Sequence, residues 1–391
     1  MTDVLRCQPG TMPTTRRRFC ATAALLAMQP RLLRAQPLAQ QGAHVDVAAV
    51  EHDRVLAEAA IALKQPLRAI TSIHSPATDP HAFYSEADAP KAFRGHAEAL
   101  IDASTNISTL TAAFVLTHDD KYALRAGAHL YAWFVDPATC MKPDLQNANA
   151  TSTTVNAQAS GIVDGVPLAE IARALPFLVD TAALAPPDLA TTRAWFTSFL
   201  DWLNTSRLPV IARDTKDHTA SAWLLLASSV ARLLGDEATL SACRHHFKTP
   251  TLRNQIDALG VFHHEVITDA PYRNSLFNID MLAAACELLS TPFASLWPYE
   301  LEDGPGLRSV AAFLYPMIHE PARWPYPADN FRFREVPRRR PGLLLAGRAY
   351  TRPEYVDLWR SLPHPAVDDP LRASFPIRQP LLWTARPPHN G

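Results

Sequence analysis

Two polar runs interrupt otherwise apolar stretches of this 391-residue chain, and both carry side chains able to move protons. The first reads Arg213-Asp214-Thr215-Lys216-Asp217-His218-Thr219 and opens a long Leu/Ala-rich segment. Asp217 is placed to cap a helix there, and the positive end of a helix favours an anion such as a ligand carboxylate. The plainer reading is a cap at Asp217 and an ordinary first-turn residue at His218. The second run is Phe262-His263-His264-Glu265, followed by Asp269-Ala270-Pro271-Tyr272-Arg273-Asn274. Histidine, tyrosine, arginine and asparagine together supply a proton acceptor, a proton donor, a charge neutraliser and an orienting amide. Helix-start and packing roles are the alternative. His263-His264-Glu265 invites a metal reading, but adjacent residues in extended backbone point to opposite sides, and the i, i+4 histidine pair of a zinc-protease helix is missing. No metal is expected. With no Gly-x-Ser-x-Gly elbow, a serine esterase or peptidase lacks support.

These runs sit among helices. Apolar residues recur at three and four spacing from about residue 47 onward, which predicts helices near 47–64, 92–116, 119–134, 162–182, 188–204, 217–234, 237–247, 275–289, 306–318 and 353–361. The joints are short, as at Thr117-His118-Asp119-Asp120, Pro186-Pro187-Asp188 and Gly235-Asp236-Glu237, so neighbouring helices should run antiparallel. The expected fold is all-α: an α/α toroid of antiparallel helix pairs, with no visible repeat period. Residues 146–160 read as a polar loop. The last 70 or so residues read as a Pro- and aromatic-rich tail folded back on the helices. Within that tail Arg338-Arg339-Arg340 is expected to be a solvated surface feature, with a substrate-facing role as the alternative.

Composition narrows the function. The chain is 48% hydrophobic, and 37 Lys+Arg nearly cancel 38 Asp+Glu, so nothing electrostatic points to nucleic acid. Only 13 glycines occur, and no Gly-rich phosphate loop is among them. Arg16-Arg17 ahead of the apolar run Cys20–Met28 read as a twin-arginine export signal over residues 1–35, leaving one domain over 36–391. Periplasmic or secreted location follows, with no permanent membrane insertion, since that run falls short of the roughly 20 residues a span needs. Cys140, Cys243 and Cys286 would remain in the mature chain, too few and too scattered for a disulfide scaffold.

Five landmarks then appear in order: Asp119-Asp120-Lys121-Tyr122, the run from Trp133 to Pro143, Gly161-Ile162-Val163-Asp164, Trp202-Leu203-Asn204-Thr205-Ser206 and Ser275-Leu276-Phe277-Asn278. Over roughly residues 80–290 the chain resembles the alginate lyase family. The resemblance implies an α/α toroid whose cleft holds an acidic polysaccharide and cleaves it by β-elimination, leaving an unsaturated sugar, without a cofactor. Departures from the family pattern accompany it. Relatives usually carry Asn-Asn-His where this chain has Asp217-His218-Thr219. They carry a Glu, an Arg three residues on and a Tyr before the Ser-Leu-Phe-Asn-like run, where this chain has Glu265, Thr268 and Asn274.

The expected site has His218, Tyr272 and one of His263 or His264 transferring protons. Asp217 orients His218, Arg273 or Asn274 neutralises the substrate carboxylate, and Glu265, Lys216 and Arg213 contribute around them. Tyr84 and Tyr326 are candidates for stacking on sugar rings. Two other readings stay open: a glycoside hydrolase pairing Glu265 with Asp217 or Asp269, and a periplasmic protein that binds acidic polysaccharide without turning it over.

Overall fold

A computed structural model of the chain describes residues 45–87, 91–330, 338–366 and 369–388. The expected export signal lies outside the described residues. The helices are α1 Val47–Ala62, α2 Gly95–Thr117, α3 Asp120–Phe134, α4 Val155–Ala159, α5 Pro167–Ala174, α6 Pro186–Thr205, α7 Arg207–Arg213, α8 His218–Leu234, α9 Glu237–His246, α10 Leu252–Gln255, α11 Pro271–Leu289, α12 Leu307–His319, α13 Pro341–Ala349, α14 Pro353–Ser361 and α15 Pro380–Thr384. Strands are absent among the described residues, where only isolated bridges pair extended backbone.

Packing sorts the helices into two layers. An inner row runs α2, α5, α8, α11, α13, each touching the next, while α3, α6, α9, α12 and α14 pack outside it. Side-chain pattern explains the sorting: α8 and α11 are apolar around nearly their whole circumference and are buried accordingly, whereas α3 and α14 keep one wet face. This double layer is the α/α toroid. α2 has the length and apolarity of a membrane span, with mean hydropathy 1.3, but 67% of that window is buried within the protein, so its apolar surface is spent on the inner row.

Local signals set the boundaries. Asp119 caps α3 by accepting from the Lys121 N–H at 3.1 Å. Gly235, at φ 74°, ends α8 in the left-handed conformation that lets the chain turn into α9, which Asp236 then caps. Proline accounts for several departures from the expected helices. The span 162–182 breaks into α5 flanked by 3-10 turns, with Pro167 and Pro176 each at a helix start. α11 begins at Pro271, four residues earlier than the apolar period suggests, and α7 carries Pro209 in its first turn. The expected loop over 146–160 contains the short α4.

The arginine run is not a solvated surface feature. Arg340 is 1% exposed and reaches Asp280 at 3.0 Å and the Ser374 carbonyl at 2.8 Å. Arg339 pairs with the buried Glu51 at 2.6 Å, and Arg338 with Asp369 at 3.3 Å. Pro341, directly after the run, starts α13. The tail beyond is tied down by Glu170 of α5, whose Oε1 accepts from the Arg378 and Gln379 N–H groups, both at 2.8 Å.

Candidate active site

The site is built at the amino end of α8. Asp217 is its cap, accepting from the Thr219 N–H at 2.9 Å and the Thr215 hydroxyl at 3.1 Å. His218 is the first helical residue, so its ring leaves the inner row where the helix begins. Opposite it, the segment between α10 and α11 folds tightly. Asp257 accepts from the Leu259 and Val261 N–H groups, Ile256 bridges Phe262, and the Glu265 N–H returns to the Phe262 carbonyl at 2.9 Å. That turn sends the Glu265 side chain inward, to zero exposure.

Glu265 meets His218 twice. Its Oε1 accepts from the His218 backbone N–H at 2.6 Å, and its Oε2 lies 2.9 Å from Nδ1 of the imidazole. Asn278 of α11 adds a third donor, Nδ2 to Oε1 at 3.1 Å. The helix terminus that could have welcomed a ligand carboxylate is therefore already occupied by Glu265 and Asp217, and that expectation is corrected. A carboxylate at Nδ1 fixes the neutral ring as the Nδ1–H tautomer and leaves Nε2 to face outward. The His218 side chain keeps 23% of its surface exposed, with its ring edge on Phe277 at 6.0 Å. Burial depresses the pKa of His218, but the charge and hydrogen bond of Glu265, helped by Asp217, outweigh it and raise the pKa overall. The dyad is thus a proton acceptor with a stored counter-charge.

Other expected residues fall into two groups. Lys216 is exposed just before the cap, close enough to His263 for its charge to be felt there. His263 and His264 are half-buried with ring centroids 4.4 Å apart, and burial followed by the charge of His264 lowers the pKa of His263. Glu265 turns away from both, so the three do not converge on one point. Asp217, His218 and Glu265 are therefore brought together, with Lys216 beside the cap, His263 within reach of its charge and the His264 ring tilted against that of His263.

The second group is placed elsewhere or already engaged. Tyr272 has no exposure: its hydroxyl donates to the Met317 carbonyl at 2.9 Å, its ring packs on Trp324, and burial pushes its pKa up. A polymer cannot reach it, so its assignment as a proton donor is withdrawn. Tyr326 packs on the same Trp324 at 5.3 Å, and the Tyr84 hydroxyl donates to Glu86 at 3.0 Å while its ring meets Phe93. Arg213 is held by Asp214 at 2.8 Å and lies over the Trp223 ring. Asn274 donates to the Thr268 hydroxyl at 3.1 Å, so the two residues that depart from the family pattern are joined to each other. Arg273 sits half-buried on the first turn of α11, where the Tyr272 and Arg273 N–H groups are taken by Asp329 at 2.8 and 3.0 Å. The sequence reading missed Asn278 and Gln255 as parts of the site. A lone amide between Phe277 and Ile279 on a helix buried all round is a signal for Asn278; Gln255 carries none.

A double-layered helical toroid with a solvent-facing histidine backed by a buried carboxylate defines a class: an α/α toroid enzyme equipped for proton transfer. Residues 44–324 match the alginate lyase family, and the chain belongs to that family, which makes it a polysaccharide lyase. An alginate lyase from Bacteroides ovatus shares the fold, with a TM-score of 0.72 and 19% sequence identity over 84% of this chain and 93% of that one. The alginate lyase A1-III of Sphingomonas species A1 superposes with a TM-score of 0.49 and 13% identity over 78% of this chain and 86% of that one. No curated protein matches the chain.

Proposed function

We propose that this enzyme is exported and cleaves a uronate-containing polysaccharide of the alginate kind by β-elimination. The observation that carries the reading is the His218–Glu265 dyad, a partly exposed base held by a buried carboxylate at the edge of the inner row. Nε2 of His218 takes the C5 proton of a uronate. The electron pair moves into a C4–C5 double bond as the C4–O4 bond breaks, and the imidazolium returns the proton to O4. Lys216, two residues before His218, and Arg273 on the first turn of α11 supply positive charge toward the uronate carboxylate, which acidifies C5. No cofactor enters this scheme. The hydrolase alternative needs two carboxylates flanking a glycosidic bond, and Glu265, common to both pairs it offered, is sealed off and engaged with His218. Export rests on Arg16-Arg17 and the apolar run Cys20–Met28.

The test is to recover the enzyme from the periplasmic fraction, sequence its amino terminus and incubate it with alginate and other acidic polysaccharides. A terminus beyond Met28 and rising ultraviolet absorbance from the new double bond are expected, with the rise reduced ~10²-fold or more in His218→Ala. New reducing ends without absorbance would show hydrolysis, and retained glycan without turnover would show a binding protein.

A further inference from the structure

A chain of buried polar side chains leads away from the catalytic dyad. Ser221 stands one turn beyond His218 on α8; its hydroxyl meets the Gln255 side chain of α10 at 3.1 Å. The Gln255 Oε1 accepts from Nδ2 of Asn278 at 2.8 Å, and the same Nδ2 donates to Glu265 at 3.1 Å. Glu265 ends the chain on His218. Ser221, Gln255, Asn278 and Glu265 all have zero exposure, and burying such a network in an apolar interior is costly, the more so because Oδ1 of Asn278 finds no hydrogen-bond partner. Tying α8 to α11 does not require it, since those two helices already share extensive apolar contact through residues such as Leu224, Leu225 and Leu282.

We propose that Asn278 is a positioning residue of the lyase site: its amide, pinned by Gln255, fixes the Glu265 carboxylate at the angle that grips both the backbone N–H and Nδ1 of His218. This rests on the lyase reading for its kinetic consequence, though not for its geometry. The charges that act on His218 are Glu265 from the α10–α11 segment and Asp217 from its own turn, with Lys216 beside that turn; α11 presents only the Phe277 ring. Asn278 supplies donors without adding a charge of its own. An aspartate at this place would set a second carboxylate against Glu265.

Asn278→Leu keeps the volume and removes the donors, leaving Glu265 free to turn from Nδ1. The experiment titrates the His218 ring by nuclear magnetic resonance in the full chain without substrate, alongside thermal unfolding and steady-state kinetics on alginate. A fall of the His218 pKa by about one unit, toward what burial alone imposes, is expected. It should come with a kcat reduced about tenfold at an almost unchanged KM. Gln255→Ala should shift the ring the same way by less, and serves if Asn278→Leu fails to fold. A His218 pKa that stays put or rises in the folded variants, whatever the loss in unfolding temperature, would overturn the proposal. Because the ring titrates with no polymer present, absence of lyase activity on every polymer would defeat the functional reading and leave this one standing.

Discussion

Glu265 and Asp280 invite comparison. Both are carboxylates with no exposure beside the inner row, both accept a backbone N–H, and both are paired with a basic side chain. Asp280 faces Arg340, itself buried, and the Gly342 N–H at the start of α13. Burial pushes the Asp280 carboxyl up to about 6 against the pull of Arg340. Glu265 faces His218, whose ring still touches solvent. Arginine cannot give up its proton in this range and, being enclosed, meets no substrate, so the Asp280 pair only fastens α13 and the tail to α11. Histidine changes charge near neutral pH and its ring reaches solvent, which is why the proposed base is His218 while Arg340 only fastens.

Substitutions at the two carboxylates should separate these roles. Asp280→Asn leaves the Arg340 charge buried without its counter-ion, and should cost about 3–5 kcal/mol in denaturant unfolding. The kcat of the protein that remains folded should be nearly unchanged. Glu265→Gln should instead act on catalysis, with kcat lowered about 10²-fold. It should also shift the acid limb of kcat/KM. Elimination needs the unprotonated ring, so the rate rises as pH climbs through the raised pKa of His218; without the carboxylate, burial dominates and the limb moves to lower pH. A pH–rate profile checks the direction, and a limb that moves upward would break the comparison. Smallest is Tyr272→Phe, which removes the hydrogen bond to the Met317 carbonyl. It should cost about 1 kcal/mol in thermal unfolding and leave kcat intact. A large loss of activity there would restore Tyr272 to the chemistry.

Much of the fold was legible because helical periodicity is a local property. The segments that became α1, α2, α3, α6, α8, α9, α12 and α14 carried their own three-and-four spacing, and α1, α3, α8 and α9 a capping aspartate as well. α13 was not legible: three arginines and a proline resemble a surface break unless Asp280, 60 residues away from Arg340 in sequence, is known to wait for them. His218, Glu265 and Asp217 were visible as residue types, yet their roles were not. The sequence reading placed Glu265 among substrate contacts and Tyr272 among proton donors, and the interior claimed both.

The chain on its own determined most of the long helices, that they pair antiparallel, and which end of α8 gathers polar groups, since propensity, period and capping act over a few residues. Only the tertiary structure decided which of those groups reach solvent and which face each other. The distance between Glu265 and Nδ1 of His218 depends on how the α10–α11 turn packs against α8, and the exclusion of Tyr272 depends on Trp324 and Met317 closing over it. Burial and pairing across 47 residues of sequence are set by packing, and packing is what brings the proposed base and its carboxylate together.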